Sequence, residues 1–158
     1  MFAHRAATTP DFLEIQQFPI NAEELSFMAP NLSFPLDAQA LADIAATRDA
    51  PTVLTQNGVI AGYAALYVRD GHRCIGNVIV APSFRGKGAG RALIDVMSQI
   101  AKKQFDALDV HLSCTNRNTI GLLLYTKLGF TPYAIATRED LNGGRRALIH
   151  MRRDLSAL

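Results

Sequence analysis

The sequence predicts an α/β fold in which helices cover both faces of a mixed, mostly antiparallel sheet. Three segments rich in β-branched residues are joined by Asn57-Gly58 and Asp70-Gly71, which are typical two-residue hairpin turns. A glycine-rich loop then leads into an amphipathic helix and a further strand. Since a strand, a helix and a strand in succession form a right-handed crossover, one parallel pair is expected to follow the antiparallel meander.

The first fifty residues are expected to form one short strand and three helices. The strand covers residues 2–7. Pro10 suits the first position of a helix, while Asn21 and Asp37 are residue types that commonly cap a helix N-terminus. The helices are expected at 10–18, 21–28 and 37–47.

The remaining residues alternate between strands and helices. Strands are expected at 52–56, 59–69, 72–80, 108–114, 130–137 and 146–152. Helices are expected at 88–105 and 118–128. Leu93 and Ile100 lie on one apolar side of the first of these helices, and Gly129 stands where a left-handed residue commonly ends a helix. The chain is thus expected to form a sheet of seven strands.

Length and composition indicate a single domain over residues 1–158. The chain has 49% apolar and 19% charged residues, which is ordinary for a globular protein. The net charge of +2 argues against a general nucleic-acid binder. No apolar run approaches the roughly 20 residues that would span a bilayer, so neither nucleic acid nor membrane is an expected partner.

The N-terminal residues and the two cysteines indicate the cellular location of the protein and the redox state of its thiols. Residues 1–15 carry several charges and no long apolar core, so no secretory signal is evident and a cytoplasmic location is expected. Cys74 and Cys114 are expected to be buried, reduced thiols. Cysteine and histidine show no spacing typical of metal ligands, so no metal site is expected.

The segment from Val78 to Arg91 predicts a phosphate site. It runs from a strand through a loop with glycines at 86, 88 and 90 into the start of a helix. Free backbone N–H groups and the helix dipole favour an anion at such a point. The glycines let the backbone approach a ligand closely, and nearby cationic side chains add positive charge.

Two nucleotide-binding loops fit this segment poorly. A nucleotide P-loop needs Ser or Thr directly after its Gly-Lys pair, whereas Gly88 follows Lys87 here. A dinucleotide fingerprint needs the spacing Gly-x-Gly-x-x-Gly in a parallel βαβ unit, whereas these glycines are evenly spaced and follow an antiparallel meander.

Two motifs together resemble the GNAT superfamily of N-acetyltransferases. That family carries Gln/Arg-x-x-Gly-x-Gly/Ala between its fourth strand and third helix, often after Val-x-Pro. This chain has Val80-Ala81-Pro82 and then Arg85-Gly86-Lys87-Gly88-Ala89-Gly90. Downstream the family often reads Asn-x-x-Ala-x-x-Leu-Tyr-x-Lys-x-Gly-Phe, and residues 118–130 match it except that Gly121 replaces Ala. The resemblance implies a seven-stranded sheet whose strands four and five are parallel and splay apart.

The resemblance also implies that acetyl-CoA binds along the first motif as co-substrate. The backbone of Val78, Ile79 and Val80 would bond the pantetheine arm as an added strand would. The pyrophosphate would lie on the loop and helix start, which comprise Arg85, Gly86, Lys87, Gly88, Ala89, Gly90 and Arg91. Asn118 matches a position that bonds the co-substrate near its pantetheine, and it could alternatively serve only as a helix N-cap.

Tyr125 matches the family's usual general acid. Attack of an amine on the thioester expels a thiolate, and a phenol with a pKa of roughly 10 is suited to protonate it. Leu122 and Leu124 flank Tyr125, so the alternative is a core aromatic residue.

The general base is left open. Asn77 and Ser113 stand where many relatives carry a glutamate, and neither is a base by itself. His111 shares a strand face with Ser113. An acidic residue of the N-terminal helices, such as Glu23 or Glu24, or a chain of waters is an equal alternative.

The acceptor is expected to be a small cationic or amphipathic primary amine. In the family, segments matching residues 21–37 and 133–147 wall the acceptor pocket. The first contains apolar side chains beside Glu23, Glu24 and Asp37. A protein or peptide N-acetyltransferase and a non-catalytic acyl-CoA sensor are the alternatives. Leu155 and Leu158 near the C-terminus could contribute to a homodimer.

Overall fold

The computed structural model describes residues 1–158, in which a seven-stranded sheet lies between two groups of helices. The strands are β1 (Ala3–Ala6), β2 (Asp49–Gln56), β3 (Val59–Arg69), β4 (His72–Val80), β5 (Asp109–Thr115), β6 (Thr131–Glu139) and β7 (Arg145–Asp154). The helices are α1 (Asp11–Ile15), α2 (Ala22–Met28), α3 (Ala38–Ala45), α4 (Ala89–Phe105) and α5 (Thr119–Lys127). A short 3₁₀ turn, Pro82–Phe84, follows β4. The predicted α/β class and element order are confirmed.

The sheet has one parallel pair, and its two strands diverge. The strand order is β1-β2-β3-β4-β5-β7-β6. β4 and β5 pair in parallel at Cys74 and His111 alone, while every other neighbouring pair is antiparallel. The carboxyl-terminal halves of β4 and β5 therefore separate and leave a cleft between them. This is the splayed parallel pair expected from the sequence.

A β-bulge interrupts β4 beside this cleft. Tyr63 pairs with Ile79 and Ala65 with Gly76, so two residues of β4 stand opposite one residue of β3. Asn77, inside the bulge, has a φ of +55°. Its side-chain amide donates to the Met28 carbonyl at 2.8 Å. The bulge is anchored to α2, and it bends β4 where the strands diverge.

Two separate cores lie on the two faces of the sheet. One core packs α4 and α5 against the sheet, and the other packs α1, α2 and α3 against the opposite face. On β5 the side chains of Val110, Leu112 and Cys114 belong to the first core. Because side chains alternate along a strand, His111 and Ser113 face the side of the N-terminal helices. This strand therefore brings polar groups to the edge of the cleft.

Both cysteines are free and buried, as expected from the sequence. Burial raises the pKa of the Cys114 thiol to about 12, so this thiol stays protonated at neutral pH. None of the five helices combines the length and apolar character that crossing a bilayer would require.

β1 is tied to α1 by an ion pair whose contribution to stability depends on pH. Arg5 donates two hydrogen bonds to Asp11, at 2.7 and 2.9 Å. These bonds, with a further one from the Thr8 backbone, lower the pKa of Asp11 to about 2. Since the folded pKa lies below the unfolded value, the stabilisation is complete above about pH 4 and is lost as the pH falls toward 2.

Replacing Asp11 with asparagine is therefore expected to lower Tm at pH 7, because the charge-assisted bonds from Arg5 are lost. The difference in Tm between this variant and the native chain should shrink steadily from pH 4 to pH 2. Thermal unfolding followed by circular dichroism at each pH measures it. A difference that is constant across this range would contradict the ion-pair explanation.

Candidate functional site

The glycine-rich loop forms an open cradle at the start of α4. Gly86 and Gly88 have φ values of +73° and +85°, which a residue with a side chain adopts only with strain. No atom lies within 4 Å of where a Cβ would stand on either residue, so their outer face is free. Gly90 has a different role, because its Cβ would lie 3.0 Å from the Leu124 side chain of α5. The loop therefore exposes backbone at the positive end of a 17-residue helix, which suits a phosphate.

The cationic side chains of the loop differ in what they contact. Arg85 pairs with Glu24 of α2 at 2.7 Å and donates to the Phe18 carbonyl at 3.1 Å. It therefore ties the loop to the N-terminal helices, and its guanidinium is held there. Lys87 donates to the Ser83 carbonyl at 2.9 Å, while Arg91 is exposed on the first turn of α4. Arg91, the backbone N–H groups and the remaining N–H donors of the exposed Lys87 are thus free to meet an anion.

The edge of β4 that faces the cleft offers backbone groups to a ligand. Ala81 donates its N–H to Ala61 of β3 at 2.8 Å. Since backbone groups alternate in direction along a strand, those of Ile79 also face β3, and those of Val78 and Val80 face the cleft. The Val80 carbonyl accepts from Arg85 Nε at 3.2 Å. Of the three predicted residues, Val78 and Val80 therefore present backbone to the cleft, whereas Ile79 does not.

An inner cavity of about 40 Å³ lies between the diverging strands. Its lining comes from α2, β4, β5, α5 and β6, and includes Phe27, Asn77, Val78, Ser113, Thr115, Asn118, Tyr125 and Arg138. The structure thus brings Val78, which lies on β4 just before the first motif, together with Asn118 and Tyr125 of the second motif. Phe27 and Arg138 belong to the segments 21–37 and 133–147 that are expected to wall the acceptor pocket, and the fold brings both side chains to this cavity.

Tyr125 reaches the inner cavity from α5 with its ring in the core. Its ring packs edge-on against Phe130, with centroids 5.9 Å apart, and the residue is 8% exposed. The hydroxyl has no hydrogen-bond partner within the chain. Burial is the main cause that raises the pKa of Tyr125, with a smaller contribution from Cys114. The phenol therefore carries its proton throughout the neutral range.

Asn118 caps α5 and still has a free amide group. Its Oδ1 accepts from the Gly121 N–H at 3.0 Å, while its Nδ2 makes no hydrogen bond within the chain and lines the inner cavity. The two roles considered for Asn118 are therefore compatible, since the cap uses the oxygen and leaves the amide donors free.

The capping side chain of Asn118 covers Gly121. A Cβ at Gly121 would lie 2.6 Å from Asn118 Nδ2 and 2.9 Å from its Cγ. Gly-to-Ala changes inside helices usually stabilise by about 1 kcal/mol, but here the alanine has to displace the cap, which is worth a similar amount.

Gly121→Ala is therefore expected to bring little or no gain in the free energy of unfolding and to weaken binding at the inner cavity. In an Asn118→Ala background the same substitution should stabilise by up to about 1 kcal/mol, because the obstructing side chain is gone. Urea unfolding of the two single variants and the double variant measures this coupling. Equal effects of Gly121→Ala in both backgrounds would disprove it.

A larger cavity of about 500 Å³ opens beside the inner one. It is bounded by α2, the loop before α3 and the turn between β6 and β7, in agreement with the walls expected at 21–37 and 133–147. Thr115 and Arg138 line both cavities. The buried Thr115 hydroxyl has no hydrogen-bond partner. The two cavities therefore meet at a point with unused polar groups.

The acidic wall expected for this cavity does not form as a unit. Glu23 lines it and pairs with Arg117 at 2.6 Å. Glu24 is held by Arg85, and Asp37 caps α3 by accepting from Ala40 N–H at 3.1 Å. The cavity also contains Arg138 and Arg146 beside Glu139 and Asp140. Its charge is mixed, because helix capping and ion pairs use the carboxylates that composition alone would assign to the wall.

The predicted base candidates lie in different places. His111 is buried where β4 and β5 still pair, and its two ring nitrogens contact Tyr133 Oη at 2.8 Å and Asp109 Oδ1 at 3.1 Å. It lines neither cavity. Ser113, two residues further along β5, does line the inner cavity. Glu23 and Glu24 are engaged in the ion pairs described above.

His72, Asp109 and His111 place their ligand atoms within 4.8 Å of one another. The two imidazole rings are stacked, with centroids 4.1 Å apart and an interplanar angle of 18°. Stacked rings direct their in-plane lone pairs side by side and not toward a common point, and both nitrogens of His111 already have partners. This group is therefore better described as a stacked histidine pair, with one hydrogen bond from His111 to Asp109, than as a set of metal ligands.

Comparison with curated proteins identifies relatives with different acceptors. The chain is 32% identical over 120 residues to a glucosamine 6-phosphate N-acetyltransferase of Trypanosoma brucei brucei, covering 68% of this chain and 79% of that protein. It is 28% identical over 97 residues to a putative ribosomal protein bS18 alanine N-acetyltransferase of Bacillus subtilis, covering 61% and 64%. The chain spans only about a quarter of the length of two further curated relatives, 26% and 23%.

Solved structures and family models agree with the fold described above. A putative acetyltransferase, yncA from Salmonella typhimurium, has been solved with its cofactor acetyl-CoA. It superposes with a TM-score of 0.76 at 22% identity, covering 99% of this chain and 95% of that one. The model of the acetyltransferase (GNAT) family matches residues 16–130, a range that includes the glycine loop, the bulge and Tyr125. The chain is a member of the GNAT family of acetyltransferases.

Proposed function

We propose that this protein transfers an acetyl group from acetyl-CoA to the primary amine of a small amphipathic molecule by direct attack of the amine. The observation that carries the proposal is that the inner and larger cavities meet at Thr115 and Arg138. One cavity adjoins the donor motifs, and the other has the size of a small-molecule pocket. Donor and acceptor would therefore reach the same point from opposite sides.

The residues present fit acetyl-CoA as co-substrate. The open loop at Gly86 and Gly88, with Arg91 beside it, offers backbone donors and charge to a pyrophosphate. The free backbone edge at Val78 and Val80 offers strand-like hydrogen bonds to an extended amide chain. When bound, acetyl-CoA supplies an acetyl group that is already activated as a thioester. Lys87 and Ala89, as parts of the same loop, are also proposed to contribute to binding the pyrophosphate.

Tyr125 supplies the proton donor in this proposal. Its hydroxyl faces the inner cavity without a protein partner, so its hydrogen is free to point at a leaving thiolate. Burial keeps the phenol protonated, and the ring contact with Phe130 fixes its direction. An acid that is held in place and protonated at neutral pH is what expulsion of a thiolate requires.

The acceptor is proposed to be small and amphipathic because of the larger cavity's lining. Leu32 and Phe34 provide apolar surface, while Glu23 and Arg138 provide both signs of charge. A cation is one such acceptor, although the mixed charge does not require one. The likeness to a ribosomal-protein alanine N-acetyltransferase favours a second candidate, the N-terminal amine of a peptide. The cytoplasmic location and the homodimer expected from the sequence stay predictions.

An amine panel with detection of released free thiol tests the proposal. The panel should contain small primary amines of graded size and charge, amino sugars, and short peptides with free N-termini. Turnover that is fastest with small amphipathic amines is the expected result. Preference for peptides would establish the second candidate, and acetyl-CoA binding without turnover of any amine would indicate a sensor.

A further inference from the structure

A polar network lies on the face of β5 opposite to α4 and α5, and Arg69 at the end of β3 is its centre. One guanidinium nitrogen of Arg69 donates to Ser113 Oγ. The other donates to Tyr133 Oη at 3.0 Å. The network thus has two branches, one through Ser113 and one through Tyr133, which start at a single cation.

The first hydrogen bond of each branch has a definite direction. A guanidinium can only donate, so Ser113 Oγ and Tyr133 Oη both accept from Arg69. Beyond them, Ser113 Oγ lies 2.7 Å from His150 Nδ1, and Tyr133 Oη lies 2.8 Å from His111 Nδ1. When neutral His150 carries its hydrogen on Nε2, its Nδ1 accepts the hydrogen of the Ser113 hydroxyl.

Only the serine branch reaches the inner cavity. Ser113 lines that cavity together with Tyr125 and Asn77, and it pairs with His150 of β7 in the sheet register. A hydroxyl oxygen has two lone pairs, of which Arg69 uses one. The second is free to accept a hydrogen from a group in the cavity.

We propose that Ser113 and His150 form the proton relay that deprotonates the acceptor amine. This inference rests on the proposed function. The ammonium of the acceptor gives a proton to Ser113 Oγ while the hydroxyl proton of Ser113 moves to His150 Nδ1. The amine is left with a free electron pair, and His150 becomes an imidazolium that releases a proton to solvent from Nε2. Ser113 is the catalytic residue, and His150 supports it without touching the substrate.

The groups around His150 keep its imidazole neutral, so that it is able to accept a proton from Ser113. Burial is the first cause that lowers the pKa of His150, and Arg69 of β3 and Arg138 of β6 lower it further. Asp70, in the turn after β3, acts in the opposite direction. The Tyr133 ring of β6 lies with its centroid 6.2 Å away. At pH 7 the imidazole is therefore mostly uncharged, which the relay needs.

His111, the alternative base in this network, is less suited by its position to deprotonate the acceptor amine. The Nδ1 lone pair of His111 accepts from Tyr133, and its Nε2 hydrogen is directed at Asp109 at 3.1 Å. Asp109 in turn pairs with Arg152 at 3.2 Å. The His111 branch thus ends in an ion pair away from both cavities.

Two acceptors that differ in basicity test the relay. A simple alkylamine with a pKa of roughly 10 arrives as an ammonium and needs a base, whereas a fluorinated alkylamine that is neutral at pH 7 does not. His150→Gln and Ser113→Ala are each expected to lower kcat/KM for the alkylamine about 100-fold at pH 7. Both should leave the neutral amine within about three-fold, and the loss should be recovered as the pH approaches the pKa of the alkylamine.

His72→Gln is the matched control, since it removes an imidazole from the same face without reaching either cavity. It should leave the ratio of the two acceptors unchanged, and the double variant Ser113→Ala/His150→Gln should lose no more than either single variant. Equal losses for both acceptors in His150→Gln would overturn the relay, because they indicate a structural role. Multiplicative losses in the double variant would also overturn it.

Nitrogen NMR of the His150 imidazole tests the same inference without turnover. The Nε2–H tautomer at pH 7.5 and a pKa below the ordinary histidine value of about 6.5 are expected. An Nδ1–H tautomer would overturn the relay, because Nδ1 could not then accept the Ser113 proton. If the native chain acetylates no amine, the proposed function fails, and this measurement still decides whether Ser113 donates to His150.

Discussion

Tyr125→Phe is expected to lower kcat by roughly ten-fold or more while leaving the affinity for acetyl-CoA nearly unchanged. The substitution removes only the hydroxyl that faces the inner cavity. That hydroxyl has no hydrogen-bond partner in the chain, and the ring keeps its contact with Phe130. The fold and the surfaces proposed to hold acetyl-CoA should therefore be unaffected, and only the protonation of the leaving thiolate is lost.

Steady-state kinetics with thiol detection measures kcat, and calorimetry measures the Kd for acetyl-CoA. Tyr63→Phe is the matched control, because the Tyr63 hydroxyl is also buried and unpartnered but belongs to the core under the N-terminal helices. It should leave kcat unchanged. Equal turnover of Tyr125→Phe and the native chain would remove Tyr125 from the mechanism.

The pH dependence of the native chain offers an additional check on Tyr125. Burial raises its pKa above the usual value for tyrosine, so the phenol keeps its proton as the pH rises through 9 and 10. Activity should therefore not decline in that range through loss of this proton. A decline that is absent in Tyr125→Phe would show that the phenol ionises earlier than its burial implies.

Gly88→Ala is expected to weaken acetyl-CoA binding ten-fold or more. Gly88 has a φ of +85° directly before α4, a conformation that costs an alanine about 1–2 kcal/mol. Relief of that strain would rotate the first peptide groups of α4. A methyl group would also stand on the open face where the loop is proposed to meet the pyrophosphate.

Gly71→Ala is the matched control, which separates a loss of acetyl-CoA binding from the effect of backbone strain. Gly71 has a φ of +79° and the same free space around its Cβ position, but it lies in the turn between β3 and β4. Both variants should lose similar stability in urea unfolding, whereas only Gly88→Ala should raise the Kd measured by calorimetry. If both variants bind acetyl-CoA as the native chain does, the loop does not hold the co-substrate.

The order of elements could be predicted because local chemistry determines it. Asn57-Gly58 and Asp70-Gly71 form the predicted turns, with all four residues at positive φ. Asn21 and Asp37 cap α2 and α3 as expected. Only the ends of elements differ, for example β2, which begins at Asp49 and not at Thr52. Strand ends depend on a partner strand, and the sequence of one strand does not show its partner.

The donor motifs could be predicted for a similar reason. The glycine loop and residues 118–130 each act within one segment, so their spacing is visible in the sequence. Asn118, Tyr125 and Gly88 accordingly lie where the motifs suggest, although their roles in binding and catalysis stay predictions until the experiments above are done.

The sequence by itself determined the fold class and the family and predicted the donor side of the site, because these depend on patterns within continuous segments. Only the tertiary structure decided which side chains remain free. Arg85 is held by Glu24 and Phe18, Ile79 directs its backbone to β3, and the expected acidic wall is divided among caps and ion pairs. The Ser113–His150 contact joins residues 37 positions apart through sheet register. Long-range pairing of this kind has no local signature, so only the folded chain shows it.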